Sequence, residues 1–506
     1  MSISNNKRIA KNTIFLYVRM LLVMAVSIYT SRVVLATLGI SDYGIYNVVG
    51  GIVAVLGFLN NSMSNAVQRF LSFELGQNDI NKVNHVFCTA VIAHFAIALF
   101  VVVILESIGP WFIETQMTIP SDRLNAAHWV FQCSTITAFF SIMQVPYNAI
   151  VIAKEKMGIY AYISIIEVIL QLCAVYLLLI IAYDKLVSYA ILHALISISI
   201  LLFYRIYCIQ KFAETKFYII KSFATLKEIG AFAIWNMIGE FAWSMTNQGI
   251  SLLVNVFVGP VANAAQGLST QVNTAVMRFV NNFQTALNPQ IIKSYSSTEL
   301  DTMTKLVSRG SRFSFFLLLM LSLPLIFEMD YILHLWLKEV PSDTKEFCQL
   351  SLICSLVMTV TNLLVQVIRA TGNIRKYQFT SAFLLLLNFP MAWITLKIGL
   401  PPYSVVVNLI VLQFIVGLLR LFFVKKQVNF PIGKFITVDV AKMLSVLILS
   451  CVPLTLIQVI FSTGNTRFLL TLFLSFLTIG VTIFFWGLET TERKKIATMI
   501  MSKIVH

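Results

Sequence analysis

Fourteen stretches of this chain are long and apolar enough to cross a lipid bilayer, and they leave little sequence for anything else. A spanning helix needs about 20 mostly apolar residues. Such stretches fall near residues 12–38, 44–70, 83–105, 125–149, 159–183, 186–208, 229–257, 261–290, 309–331, 346–370, 377–398, 403–424, 440–461 and 467–488. Only 12% of the 506 residues are charged, against about 25% in a soluble domain, so the expectation is an all-α polytopic membrane protein. The eighth stretch stands apart. It carries Asn263, Gln266, Gln271, Asn273, Arg278, Asn281, Asn282 and Gln284, and neighbouring helices must shelter it from lipid.

Basic residues give this layout its sides. If the spans alternate and residues near span ends are counted with the adjacent side, 28 of the 37 Lys and Arg fall on the side of the N-terminus, 6 on the other side and 3 deep in the membrane, whereas the acids divide 10, 10 and 2. Basic residues in short loops mark the cytoplasm, which places both termini inside. The net charge of +15 therefore needs no nucleic acid. It belongs to cytoplasmic loops such as Lys211 to Lys227 and Arg420 to Lys442, which suit anionic lipid head groups. The first apolar stretch follows Lys7, Arg8 and Lys11 and runs through Gly39 without a small-residue cleavage site. That pattern is expected of a retained helix rather than a signal peptide. The seven cysteines are scattered and lack a CxxC spacing, so small-apolar packing is expected in place of disulfides or metal.

Several function classes drop out. The longest outer connection runs from about Glu328 to Glu346, too short for an outer catalytic domain, and the tail after Glu492 is too short for a nucleotide-binding fold. There is no P-loop pattern, no zinc-protease HExxH and no GxSxG nucleophile elbow. A transporter is expected, not an enzyme or a one-chain ATP-driven pump.

Charges inside the spans point the same way. Arg19, Arg32, Arg278, Glu167 and Glu240 lie within apolar segments, where each costs roughly 2.5–3.5 kcal/mol on insertion scales and normally faces a bundle interior or a wet cavity. Helical spacing groups the polar residues into faces. In helix 8, Asn263, Gly267, Gln271, Thr274, Arg278, Asn282 and Thr285 fall within roughly 80° at 100° per residue. Helix 7 aligns Asn236, Glu240, Ser244, Asn247 and Ser251, and helix 2 aligns Asn47, Ala54, Asn61, Asn65 and Gln68. Two readings stand for these stripes: a cavity lining, or amides that bond helix to helix. Arg19 lies about 10 Å into its helix, so it can face a cavity or snorkel to the surface. Arg32 lies toward the outer interface, and Arg278 sits mid-helix within its stripe. Glu240 is open to a structural pair with Arg278 or to ion coupling as a neutralisable carboxylate. Glu167 shares a helix face with Ser164 and Gln171 and is within reach of a pairing with Arg19.

Residues 38–70 echo residues 258–290 at an offset of 220: Leu38-Gly39 faces Val258-Gly259, and Gln68-Arg69-Phe70 faces Asn288-Pro289-Gln290. A six-helix repeat follows. It divides the chain into an N-terminal lobe at 1–208, a basic loop at 209–228, a second lobe at 229–424, and two extra helices with a short tail at 425–506.

Arg32 through Ala36, Leu38-Gly39, Ser41-Asp42-Tyr43-Gly44-Ile45-Tyr46 and Gln68-Arg69-Phe70 resemble the polysaccharide flippases of the multidrug/oligosaccharidyl-lipid/polysaccharide (MOP) exporter superfamily. The similarity of layout covers nearly the whole chain. The resemblance implies two pseudosymmetric six-helix lobes in a V, a central cationic cavity and alternating access. It also implies a substrate, an undecaprenyl-pyrophosphate-linked oligosaccharide, moved from the cytoplasmic to the periplasmic leaflet of a bacterial inner membrane for O-antigen, other lipopolysaccharide or capsule assembly. The implied partners are a polysaccharide polymerase and glycosyltransferases, with the flippase itself a monomer and no cofactor needed.

Residue chemistry agrees with that substrate. Guanidinium groups replace the hydration of a pyrophosphate with bidentate hydrogen bonds, which makes Arg278 the foremost candidate, Arg19 and Arg69 helpers, and Arg32 the outlying one. Gln271, Asn282, Asn61 and Asn65 suit sugar hydroxyls, because amides both donate and accept. Some relatives hold a cation between an acid on helix 7 and polar groups on helices 10 and 11. Glu240 matches the acid, and Thr361, Asn362 and Thr380 match the polar groups, but helices 10 and 11 hold no acid here. Proton coupling, sodium coupling and no coupling all stay open. The rivals are a multidrug antiporter of the same superfamily, in which buried acids would be expected to outnumber bases, a lipid II flippase, and a non-transporting scaffold.

Overall fold

The computed structural model describes residues 3–54, 57–115, 119–181, 183–218, 224–258, 260–337, 340–490 and 492–494. Among them the chain is helical and has no strand, as a backbone in hydrocarbon must be when it satisfies its own polar groups. The protein is an all-α polytopic membrane protein. Nine helices are long and apolar enough to span a bilayer among the described residues, and a pair bent by 42° makes a tenth. The other four expected spans fall in α1, α2, α7 and α8, the helices that carry the polar stripes and the intramembrane arginines.

Contacts divide the chain into two compact units, residues 1–240 with 292–298, and residues 241–291 with 299–506. The first unit contains α1 (Ile3–Ala54), α2 (Gly57–Gly76), α3 (Ile80–Thr115), α4 (Leu124–Ala153), α5 (Met157–Leu177) and α6 (Lys185–Lys211). It also holds the first half of α7 (Ala224–Val258) and the last turn of α8 (Pro260–Ser296). The first expected span ends where the structure breaks: Gly39 is not helical but lies at φ 79° and ψ 168°, a backbone region that glycine enters without steric cost, so α1 is two helices joined at a kink. α4 is central and packs on α2, α3 and α6. Its core includes Val130, Phe131, Ile113, Val49 and Leu186.

The second unit contains the rest of α7 and α8, then α9 (Leu300–Phe327), α10 (Met329–Trp336), α11 (Thr344–Asn362), α12 (Leu364–Thr371), α13 (Arg375–Leu386), α14 (Asn388–Lys397) and α15 (Ser404–Val428). α11 and α12 form the bent pair. After α15, α16 (Ile432–Lys434) runs through a π-helical turn at Phe435–Val440 into α17 (Ala441–Ile460), and α18 (Asn465–Thr482) follows. α9 is fixed to these last helices by an apolar core that includes Phe315, Leu319, Val446 and Ile479 and by buried charges. Arg312, 1% exposed, meets Asp439 at 3.0 Å, Glu489 at 3.1 Å and Glu492 at 3.3 Å, and donates to the Gly487 carbonyl. At the other end of α9, Glu328 is 1% exposed and accepts from Arg467, Gln458 and Thr471 at 3.1, 2.7 and 2.8 Å.

The internal echo extends beyond the residues that first show it. Asn78 and Thr298, 220 apart, both take the left-handed conformation, at φ 58° and 59°. Around them the same backbone hydrogen bonds recur at that offset: Gln77 to Phe73 and Ser297 to Lys293, Asn78 to Leu75 and Thr298 to Tyr295, Val83 to Asp79 and Met303 to Glu299.

Candidate functional site

The polar stripe of α8 is one uncovered face. Gly267, Gln271, Thr274 and Arg278 are exposed, and Asn282 and Thr285 are half-buried, while Ser269, Val276 and Val280 on the other side are buried. Amides that do bond between helices lie off the stripe. Ser355 donates to Asn273 at 2.7 Å, Gln284 donates to Ser314 at 3.2 Å, and Asn362 donates to the Gln284 carbonyl at 2.8 Å. The two alternatives that spacing left open therefore apply to different faces of one helix. Gln271, Arg278 and Asn282 are brought together on the free face, and Asn362 belongs to the bonded one. Thr380 bonds back to the Lys376 carbonyl of its own helix.

Neither Arg278 nor Glu240 has an ion-pair partner among the described residues. Glu240 is half-buried on α7. The side chains of Arg32, Asn61, Asn263, Ser244, Asn247 and Asn47 lie outside the described residues.

In the first unit, Arg19 lies with its guanidinium over the Tyr160 ring, 4.4 Å from the centroid, and its Nε is buried without a hydrogen-bond partner. Its charge acts on Glu167 of α5, and both act on the buried Tyr204 of α6. Arg19 and Glu167 thus form one electrostatic cluster. Arg69 is 8% exposed and sits among the Phe70, Phe73 and Phe232 rings, 4.6 to 5.6 Å from their centroids. Asn65, one turn earlier on α2, is half-buried.

At the opposite end of this unit from Arg69, Arg123 bridges Asp42 of α1 and Asp184, with its Nη1 2.6 Å from the Asp184 carboxylate. Asp184 also caps α6 by accepting from the Leu186 and Val187 amides at 3.0 and 3.1 Å. One residue of the Ser41-to-Tyr46 motif therefore ties the segment after the Gly39 kink to the starts of α4 and α6.

Sequence reasoning misplaced Arg420. It is 8% exposed inside α15, not in a loop, because it ends an apolar run and precedes Lys425 and Lys426 on one unbroken helix. The buried pairs at Arg312 and Glu328 also went unseen, since each joins residues more than 120 positions apart. Among the described residues no group of three or more His, Cys, Asp or Glu side chains is placed to hold a metal ion.

The family model MatE matches residues 16–177. No curated protein matches the chain in sequence. Solved structures do match. A mutant of the Vibrio cholerae MATE transporter VcmN superposes with a TM-score of 0.73 at 15% identity, over 84% of this chain and 97% of that one. The fold is that of the MATE transporters. An outward-facing MATE family multidrug resistance transporter of the MOP superfamily shares this fold at 0.69 and 12% identity, covering 83% and 96% of the two chains. So does a MOP superfamily transporter of Pyrococcus furiosus, described as having a binding pocket of reverse polarity that suggests a different function, at 0.67 and 12%, covering 83% and 96%. On this MATE fold the uncovered face of α8 bears a cation and amides, with no carboxylate on the stripe.

Proposed function

We propose that the protein is a MOP-type transporter that flips an oligosaccharide carried on a polyprenyl pyrophosphate from the cytoplasmic to the periplasmic leaflet. The observation that carries this reading is Arg278, exposed beside Gln271 and Asn282 without an acidic partner among the described residues. A guanidinium in that state is matched to an anionic group that arrives from outside the chain, and the flanking amides are matched to hydroxyls. Within the first unit taken by itself, Arg19 lies half-buried over Tyr160 and is a further guanidinium suited to the same anionic class. The fold supports alternating access by similarity to its transporter relatives. The basic loops support a bacterial inner membrane with both termini inside and anionic lipids around them. A polymerase and glycosyltransferases are the partners this reading requires. Coupling falls to Glu167, within electrostatic reach of Arg19, or to Glu240.

A multidrug antiporter is the second reading, favoured by the MatE match and by a half-buried Glu240 without an ion pair. A strain lacking this chain, complemented with native protein or with Arg278→Glu, separates the two. Lipid-linked oligosaccharide that accumulates in the inner leaflet and is cleared only by native protein supports flipping. Sensitivity to cationic dyes without such accumulation supports the antiporter. A lipid II flippase would show lipid II as the accumulating species.

A further inference from the structure

Among the described residues the second unit neutralises its buried charges, with one exception. Arg312 meets Asp439, Glu489 and Glu492, and Glu328 meets Arg467. Arg420 is as buried as Arg467, at 8% exposure, yet its described partners are neutral: Nε donates to the Tyr377 hydroxyl and Nη1 to the Thr361 hydroxyl, each at 3.2 Å. The surrounding sequence supplies no acid. Between Glu346 and Asp439 there is no Asp or Glu, while Arg369, Arg375, Lys376, Arg420, Lys425 and Lys426 all occur there. Arg420 lies eight residues, about 12 Å, from the end of α15. At that end Gln427 accepts from Thr371 and donates to the Asn373 carbonyl, both at 2.9 Å, which brings the α12–α13 turn and its basic residues to α15. α15 also approaches α11 closely, since a Cβ on Gly417 would stand 3.3 Å from the Thr361 hydroxyl.

A guanidinium removed from water without a counter-charge is strongly disfavoured. Its fork of five donors is matched to oxyanions, and two hydroxyls leave donors over. We propose that Arg420 anchors a binding site for a phosphate-type oxyanion where the α12–α13 turn meets α15 in the second unit. Tyr377 and Thr361 orient the guanidinium from two other helices. The site is independent of the transported substrate, and a phospholipid head group or a free pyrophosphate would satisfy the same chemistry.

The test is thermal unfolding of the full chain in neutral detergent, with inorganic pyrophosphate, with phosphatidylglycerol or with phosphatidylcholine. The native protein is expected to gain several degrees with an anion and nothing with phosphatidylcholine. A gain with phosphatidylglycerol alone assigns a lipid head group, and a gain with pyrophosphate as well assigns a water-accessible oxyanion site. Arg420→Gln is expected to abolish the gain. Should that variant fail to fold, Tyr377→Phe keeps every charge and is expected to reduce the gain. No anion-dependent gain in native protein, or an equal gain in the variants, overturns the proposal.

Discussion

Two arginines of the second unit illustrate how little a residue's identity says about its task. Arg312 is enclosed by three carboxylates, and Arg278 stands on an open face with none. A charge-assisted hydrogen bond contributes about 1.5–3 kcal/mol, so Arg278→Ala should slow flipping by about ten- to a hundredfold at equal protein level. Arg278→Lys should fall between, because an ammonium keeps the charge and loses the fork. The rate at which lipid-linked oligosaccharide reaches the outer leaflet measures this, and an unchanged rate removes Arg278 from the site. Asp184 carries a pH dependence. Burial pushes its carboxyl up, but the hydrogen bond from Arg123 and those from the Val187 and Leu186 amides outweigh this and leave it below the ordinary value. Its contribution to stability is then complete above the unfolded value of about 3.9 and is lost as pH falls through the lower folded value. Thermal stability should therefore decline on acidification below about pH 4, and Asp184→Asn should flatten that decline. The α8 stripe was legible in the sequence because helical period alone fixes which residues share a face. Arg420 was not, because hydropathy records where an apolar run ends and not that the helix continues about two turns beyond it.

Elements are held by contacts that no single segment encodes. Glu328→Gln leaves Arg467 buried without its carboxylate, a change that costs about 3–5 kcal/mol in comparable buried pairs. A lowered unfolding midpoint is expected, with part of the loss recovered in Glu328→Gln combined with Arg467→Met. If both variants unfold with the native protein, the pair does not hold α9 to α18. Gly76 makes a steric prediction within the first unit. A Cβ there would lie 1.9 Å from the Ser296 hydroxyl and 2.8 Å from the Lys293 carbonyl oxygen. Ser297 also donates to the Gly76 carbonyl. Because one obstacle is backbone, Gly76→Val should separate the ends of α2 and α8. The unfolding midpoint of Gly76→Val should fall below that of the native protein, and an unchanged midpoint would contradict this packing.

On the scale of the molecule, the layout predicts sidedness. Ser342 lies in the connection before α11, which the basic-loop asymmetry places outside. A Ser342→Cys variant should be labelled in intact cells by a membrane-impermeant maleimide, above the level set by the native cysteines. Labelling only after cell lysis would invert the topology and the proposed direction of flipping with it. The helical class and the membrane setting were legible at this scale from apolar length alone. So was the end of the first span, which falls beside the Gly39 kink; the bend between α11 and α12 was not, because apolar length records where a segment can lie and not how it turns.

By itself the sequence determined a polytopic helical protein, a repeat at an offset of 220 and a polar face on α8. Each follows from local rules, namely the length of an apolar run, the helical period and the similarity of two segments. Only the tertiary structure decided which charges neutralise one another and which have no opposite charge beside them among the described residues. Glu328 and Arg467 are 139 residues apart, and Arg123 reaches Asp42 across 81 and Asp184 across 61. An arginine next to its acid and an arginine without one read identically along a chain, because the electrostatic difference arises only when packing brings distant helices together.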